Sequence, residues 1–321
     1  MAGNAEGLAR HRHVHSQTAP TGRDGGAWRC FTGGPNRVLH GMASRNRKAG
    51  RLAPAGAGDT GKEDRSSSST AWTMQEQTQG TDTMHHQTVI VVGASSGMGL
   101  AAARLFLERG ATVWMVARDM ERLQNAASSL GSERARVLSA DVGSDEGRAR
   151  IVAVAPQVDH LVITAADLVY KPSQALCEAE VMRAVRSKVV GPYLLAAACA
   201  ARMPEHGSIT LVSGVAAERP IAGGSVTGMV NGAINAMVRG LALELAPIRV
   251  NAVSPGWVDT PFWGQVASAE RREQLFAAMR DKIPTRRIST VEDVAQMIEV
   301  AMTNKAVSGT TLYVDGGQRL V

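Results

Sequence analysis

The chain has 321 residues, 44% hydrophobic and 20% charged, proportions that suit a globular protein with room for one large domain or two modest ones. Its apolar runs are strand-length, well short of the ~20 residues that span a bilayer, so no membrane segment is expected. The net charge of +6 sits mostly near the N-terminus, where residues 1–87 hold eleven Lys/Arg against seven Asp/Glu, and the +2 left for the rest argues against a nucleic-acid partner.

Residues 1–83 are rich in Gly, Ser, Thr, Arg and Gln and show no helical or strand period. Three readings fit them: a disordered appendage, an Arg-rich transit peptide whose only acids in residues 1–58 are Glu6 and Asp24, or a spurious extension with translation starting at Met74 or Met84. The alternating His11, His13 and His15 lie in this stretch and are not expected to bind metal. No apolar pattern before Thr88 is expected to join a core. Cys30, Cys177 and Cys199 form no CxxC pair, which suits a reducing compartment and neither a disulfide framework nor a zinc site. Cys177 and Cys199 read as small apolar groups on helices. A cytoplasmic location is expected, with organelle targeting by the extension left open.

From Thr88 onward, β-rich runs alternate with Ala/Leu/Arg-rich helical patterns. Strands are predicted at 88–92, 112–116, 135–139, 160–164, 208–213, 248–252 and 311–314. Helices are predicted near 98–109, 119–130, 145–154, 178–202, 226–245, 268–280 and 291–302. Seven strands with helical crossovers make residues 84–321 a single doubly wound α/β Rossmann domain, a seven-stranded parallel sheet with helices on both faces.

The first strand runs into Gly93-Ala-Ser95-Ser96-Gly97-Met98-Gly99 and then a helix. Glycines there let the backbone approach a pyrophosphate, and the helix start offers free N–H groups and a favourable dipole. At the end of the second strand stands Ala117-Arg118. A carboxylate there would accept bonds from a ribose 2′-hydroxyl, whereas Arg118 offers a planar fork to a 2′-phosphate, so NADP is expected over NAD. The other reading of Arg118 is a solvated charge ahead of a helix capped by Asp119.

This GxxxGxG spacing resembles the short-chain dehydrogenase/reductase family, and further markers follow in order over residues 88–321. Asp141-Val142 is similar to that family's adenine-contacting pair. Asn251-Ala-Val-Ser-Pro255-Gly256-Trp-Val258-Asp-Thr260 resembles its sixth-strand segment, where Val258 and Thr260 would hold the nicotinamide carboxamide. Val314-Asp315-Gly316-Gly317 resembles its closing strand and turn. Ala165, in Ile163-Thr164-Ala165-Ala166, stands in the stretch that is Asn-Asn-Ala-Gly in the family and would border the cofactor.

The resemblance breaks at the chemistry. The family moves protons with a Tyr, a Lys four residues on, a Ser and an Asn. Here Gly214 occupies the Ser position, directly after Ser213, and Thr227 and Asn231 stand for Tyr and Lys. Lys188 stands for Asn. An aliphatic hydroxyl cannot act as the phenol does, and Asn231 brings no charge, so the standard relay cannot operate. The fold implied by the resemblance sets Lys188 and Asn231 on facing helices. Lys188 then either enters the vacated volume, where desolvation lowers its pKa and makes it an acid or base, or merely fills a packing face. Asp167, Tyr170 and Lys171 on the loop after the fourth strand are weaker candidates, and Tyr193 reads as core or interface. Trp257, Phe262 and Trp263 lie where the family has a substrate lid. They imply an apolar or aromatic small-molecule substrate, unless they only close the lid on the protein itself. The long Ala-rich helices, paired between subunits in the family, imply a homodimer or homotetramer. The expected function is an NADP(H)-dependent oxidoreductase acting on a carbonyl or hydroxyl through a non-standard relay. The alternatives are an inactive nucleotide-binding or regulatory relative, or a non-redox enzyme using the same crevice.

Overall fold

The computed structural model describes residues 84–321, which belong to one compact unit. The tail readings, His11 to His15 and Cys30 fall outside the described residues. Seven parallel strands lie in the order β3-β2-β1-β4-β5-β6-β7. They are β1 (Thr88–Val92), β2 (Thr112–Ala117), β3 (Ala135–Ser139), β4 (His160–Ile163), β5 (Ser208–Val212), β6 (Arg249–Pro255) and β7 (Thr311–Val314). Chain order reverses between β1 and β4, and in an open α/β sheet the crevice above such a switch point is where ligands bind.

Strand alternation divides the core in two. Val89 and Val91 of β1 face one cluster, completed by α1 (Gly97–Glu108), α2 (Met120–Ser129) and α9 (Val291–Thr303). Ile90 and Val92 face the other, completed by α3 (Asp145–Ala153), α5 (Gly191–Ala200) and α6 (Ser225–Glu244). Met84 corrects one expectation. It is 1% exposed, joins the first cluster and donates its backbone N–H to the Arg109 carbonyl at 2.9 Å. A lone Met followed by two histidines shows no period, so pattern reading could not place it.

Most bounds shift by a residue, and two elements differ more widely, for local reasons. The sixth strand continues to Pro255, where Ser254 and Pro255 pair with Tyr313 and Val314, although Ser-Pro-Gly reads as a turn. Proline is tolerated at a strand end because little of the ladder then depends on its missing N–H. The single helix expected over 178–202 is α4 (Glu178–Val185), a π-helical turn (Arg186–Val190) and α5. Pro192 cannot donate to the residue four before it, which is Lys188, and a wider turn absorbs the missing bond. Gly191 fits there because a Cβ would collide with the Val142 carbonyl. The widened turn carries Lys188. Cys199 is buried on α5 as expected, but Cys177 is exposed and precedes α4 as its N-cap.

Candidate active site

The crevice above the switch point opens into a cavity of about 1190 Å³. At one end lies the loop between β1 and α1. Gly93 and Ala94 donate to the Val116 carbonyl at 2.7 and 3.2 Å, tying the loop to β2. Gly97 has φ of +56°, the left-handed region that favours glycine, and a Cβ on Gly99 would strike the Gly93 carbonyl. Ser96 caps α1 with extended backbone and no side-chain bond, and the first turn holds no acid. The helix start at Gly97, Met98 and Gly99 is therefore shaped for an anion. Thr260 lies beside it, since a Cβ on Gly97 would sit 3.6 Å from the Thr260 methyl. Ser95, Ser96, Ala165 and Thr260 all line the cavity.

Next along the crevice, Asp119 caps α2 by accepting from the Arg122 N–H at 3.0 Å. Arg118 is not a free charge. Its guanidinium makes two 2.9 Å bonds to the Asp167 carboxylate, which approaches from the loop after β4. Asp167 is steadied by its own N–H, donated to the Ser187 hydroxyl at 3.0 Å. The sequence puts Asp167 on the loop after the fourth strand but gives no sign of the pairing, because the two residues are 49 positions apart. Asp141 folds back to accept from the Gly143 N–H at 2.8 Å, and Val142 is buried.

On the opposite side, Gly256 donates to the Val314 carbonyl at 3.0 Å, and a Cβ there would lie 2.7 Å from the Gln318 amide oxygen. This packs the segment from Pro255 against the closing turn. Val258 is buried, and its carbonyl accepts the Trp263 indole N–H at 2.9 Å. Trp257 and Trp263, the latter opening α7 (Trp263–Val266), set their rings 4.7 Å apart at a tilt and pack on Phe276 of α8 (Ala269–Arg280), so these two close the lid on itself. Phe262 instead faces Tyr170, with ring centres 6.0 Å apart.

The four altered relay positions meet in one place. Lys188 is buried, lines the cavity and donates from Nζ to the Ser213 carbonyl at 3.2 Å. Burial alone lowers its pKa from 10.5 to about 8. Ser213 spends its hydroxyl on the Asn231 carbonyl at 3.1 Å, and Thr227 spends its own on the Val169 carbonyl at 2.9 Å. The Asn231 Oδ1 is buried without a partner. A Cβ on Gly214 would lie 2.8 Å from the Asn231 Nδ2, so glycine at 214 and asparagine at 231 fit as a pair.

A profile of the family described as Enoyl-(Acyl carrier protein) reductase matches residues 93–319. The chain belongs to the short-chain dehydrogenase/reductase family. A curated short-chain dehydrogenase/reductase of Acremonium sp, ucsE, is 31% identical over 255 residues, covering 74% of this chain and 96% of that protein. The solved structure of the MalC reductase/Diels-Alderase from Malbranchea aurantiaca superposes with a TM-score of 0.71 at 28% identity, covering 75% of this chain and 99% of that one. A small-chain dehydrogenase solved in complex with NADPH superposes at 0.63 and 26% identity, over 73% of this chain and 99% of its own. The curated relatives are named as dehydrogenases, reductases and oxidoreductases, which makes this an oxidoreductase-type chain, and the seven-stranded fold read from the sequence is theirs. Among the described residues no helix is long and apolar enough to cross a membrane.

Proposed function

We propose that this short-chain dehydrogenase/reductase is an NADP(H)-dependent oxidoreductase interconverting a carbonyl and a hydroxyl on an apolar or aromatic small molecule. Lys188 exchanges the proton in place of the family relay. The observation that carries this is a buried ammonium, with its pKa lowered to about 8, lining the cavity among the altered relay positions. A group poised near the working pH transfers protons in both directions more readily than an unperturbed lysine.

The residues present fit a dinucleotide. The anion-shaped start of α1 suits its pyrophosphate, and Ala117 leaves no carboxylate to repel a 2′-phosphate. The unpartnered Asn231 Oδ1 offers an acceptor near the relay positions. Bound NADPH supplies the hydride for the carbonyl carbon. The chain's own residues do the rest. Arg118 would exchange Asp167 for the 2′-phosphate, Thr260 and Val258 would hold the carboxamide end, and Lys188 would give its Nζ proton to the substrate oxygen. The resemblance to a protein solved with NADPH supports the nucleotide assignment. We propose a homodimer or homotetramer, by analogy with the pairing of equivalent helices in the family, and a cytoplasmic location, which the scattered cysteines support.

A second reading is a nucleotide-binding relative without turnover. It is favoured by Lys188 already donating to Ser213 and Arg118 already held by Asp167. NADPH oxidation with a panel of aromatic ketones separates the two. We expect turnover in the wild type and a loss of ~10²–10⁴-fold in kcat for Lys188→Met, with NADPH affinity retained. Tight NADPH binding without turnover of any ketone gives the second reading instead.

A further inference from the structure

The loop that leaves β4 is fastened across the start of α6. Lys171 donates its N–H to the Gly223 carbonyl at 2.8 Å, and the Thr227 hydroxyl donates to the Val169 carbonyl at 2.9 Å. Lys171 is also ion-paired to Glu180 of α4. Between these two fastenings lies Tyr170. Its hydroxyl lies close to the Thr227 side chain, and its ring rests near Phe262 of the lid. The residue standing at the family's Tyr position thus anchors a loop that delivers a different phenol to the same cavity.

We propose that Tyr170 is the hydroxyl that holds the substrate's oxygen in this site, positioned for that contact by Thr227. This rests on the oxidoreductase reading above. The need for such a group follows from what the other hydroxyls do. Gly214 has none, and Ser213 is committed to the Asn231 carbonyl. A phenol has one proton and a rotatable C–O bond. The Thr227 proton stays on the Val169 carbonyl, so rotation about the Tyr170 C–O bond alone turns the phenol proton to a substrate oxygen, and no heavy atom has to move.

The two candidate groups are driven apart electrostatically. Burial raises the Tyr170 pKa, opposed in part by the neighbouring Thr227 hydroxyl, whereas burial lowers that of Lys188 to about 8. A group that keeps its proton suits holding an oxygen, and one that releases it suits exchange. The residue is 41% exposed and lines the cavity, so it is accessible to an incoming substrate.

The test compares the wild type with Tyr170→Phe, Thr227→Val and Thr227→Ser. It reads calorimetric affinity of the NADP-loaded protein for aryl ketones such as 2-acetylnaphthalene, together with kcat and KM for NADPH oxidation. We expect Tyr170→Phe to weaken ketone binding by ~10-fold, as for one lost hydrogen bond. It should lower kcat/KM by ~10²–10³-fold, as for a lost oxyanion donor, and leave NADPH affinity unchanged. Thr227→Val should fall between, and Thr227→Ser should recover the wild type, since only the hydroxyl is required. Ketone affinity and turnover indifferent to Tyr170→Phe overturn the proposal, as does a wild type that binds no ketone. Ketone binding that needs Tyr170, without NADPH oxidation, keeps Tyr170 as the holding group and removes the reductase reading. Turnover that ignores Tyr170 does the reverse.

Discussion

Replacing Lys188 by Met should stabilise the protein at neutral pH. Met keeps the length and apolar volume of the lysine stem and removes the charge that burial penalises. The gap between the ordinary lysine value of 10.5 and about 8 in this site corresponds to about 3 kcal/mol of destabilisation carried by the folded, charged form. Losing the bond from Nζ to the Ser213 carbonyl takes back about 1 kcal/mol, leaving a net gain of about 2 kcal/mol. For a domain of this size that is a rise in Tm of about 4–8 °C. The sign with pH is also fixed. Between pH 8 and 10.5 the unfolded chain keeps a proton that the folded protein has released, so wild-type stability rises through that window. Lys188→Met lacks that rise, and its advantage should shrink from pH 7 to pH 10. Urea melts of both proteins at the two pH values measure it. A variant less stable at pH 7, or a difference that ignores pH, would refute the idea of a costly buried charge and leave Lys188 as space-filling.

Other perturbations address the cofactor, the N-terminus and assembly. NADPH should bind more tightly than NADH. Arg118→Asp should erase or reverse the preference and Asp167→Asn should strengthen it by freeing Arg118, whereas equal wild-type affinities by calorimetry remove the argument. A chain beginning at Met84 should melt with the full chain, because Met84 retains its buried site and its bond to Arg109; a large fall in Tm shows that earlier residues support the domain. Tyr193 and Leu194 of α5 and Met229 and Leu243 of α6 are exposed apolar groups, with Leu243 at 83%. Light scattering at micromolar concentration should therefore report a dimer or tetramer, and a monomer contradicts the interface.

The sheet was legible because strand and helix periods repeat without interruption from Thr88, and the glycine loop because its spacing has a steric cause. What escaped was set by distant contacts. The pairing of Arg118 with Asp167 joins loops after β2 and β4, and no local pattern reports it. The π-helical turn at Lys188 was signalled by Pro192 inside a helical run, but a missing donor does not say whether a helix ends, kinks or widens. Tyr170 looked like one polar residue on a rim loop. Its weight comes from the Thr227 hydroxyl, 57 residues later in the chain, fastening that loop in place.

The departures from the family relay are also coupled in space. A side chain on Gly214 would press on the Asn231 amide, whose Oδ1 is already buried without a partner, beside the Ser213 carbonyl that receives Lys188. Gly214→Ser alone should therefore cost about 1–3 kcal/mol as an overpacked core position. Asn231→Ala removes the obstructing amide, so the double variant should be more stable than the sum of the single changes predicts, by ~1 kcal/mol or more. Thermal or urea denaturation of the four proteins gives that coupling directly. Additivity within ~0.5 kcal/mol means that the backbone yields at 214 and that the two positions changed independently. If the coupling is found, installing Tyr at 227 and Lys at 231 will not rebuild the family relay. The new phenol would lack an orienting serine, the Thr227 bond that fastens the Tyr170 loop would be gone, and a second ammonium would enter a site where Lys188 is already buried.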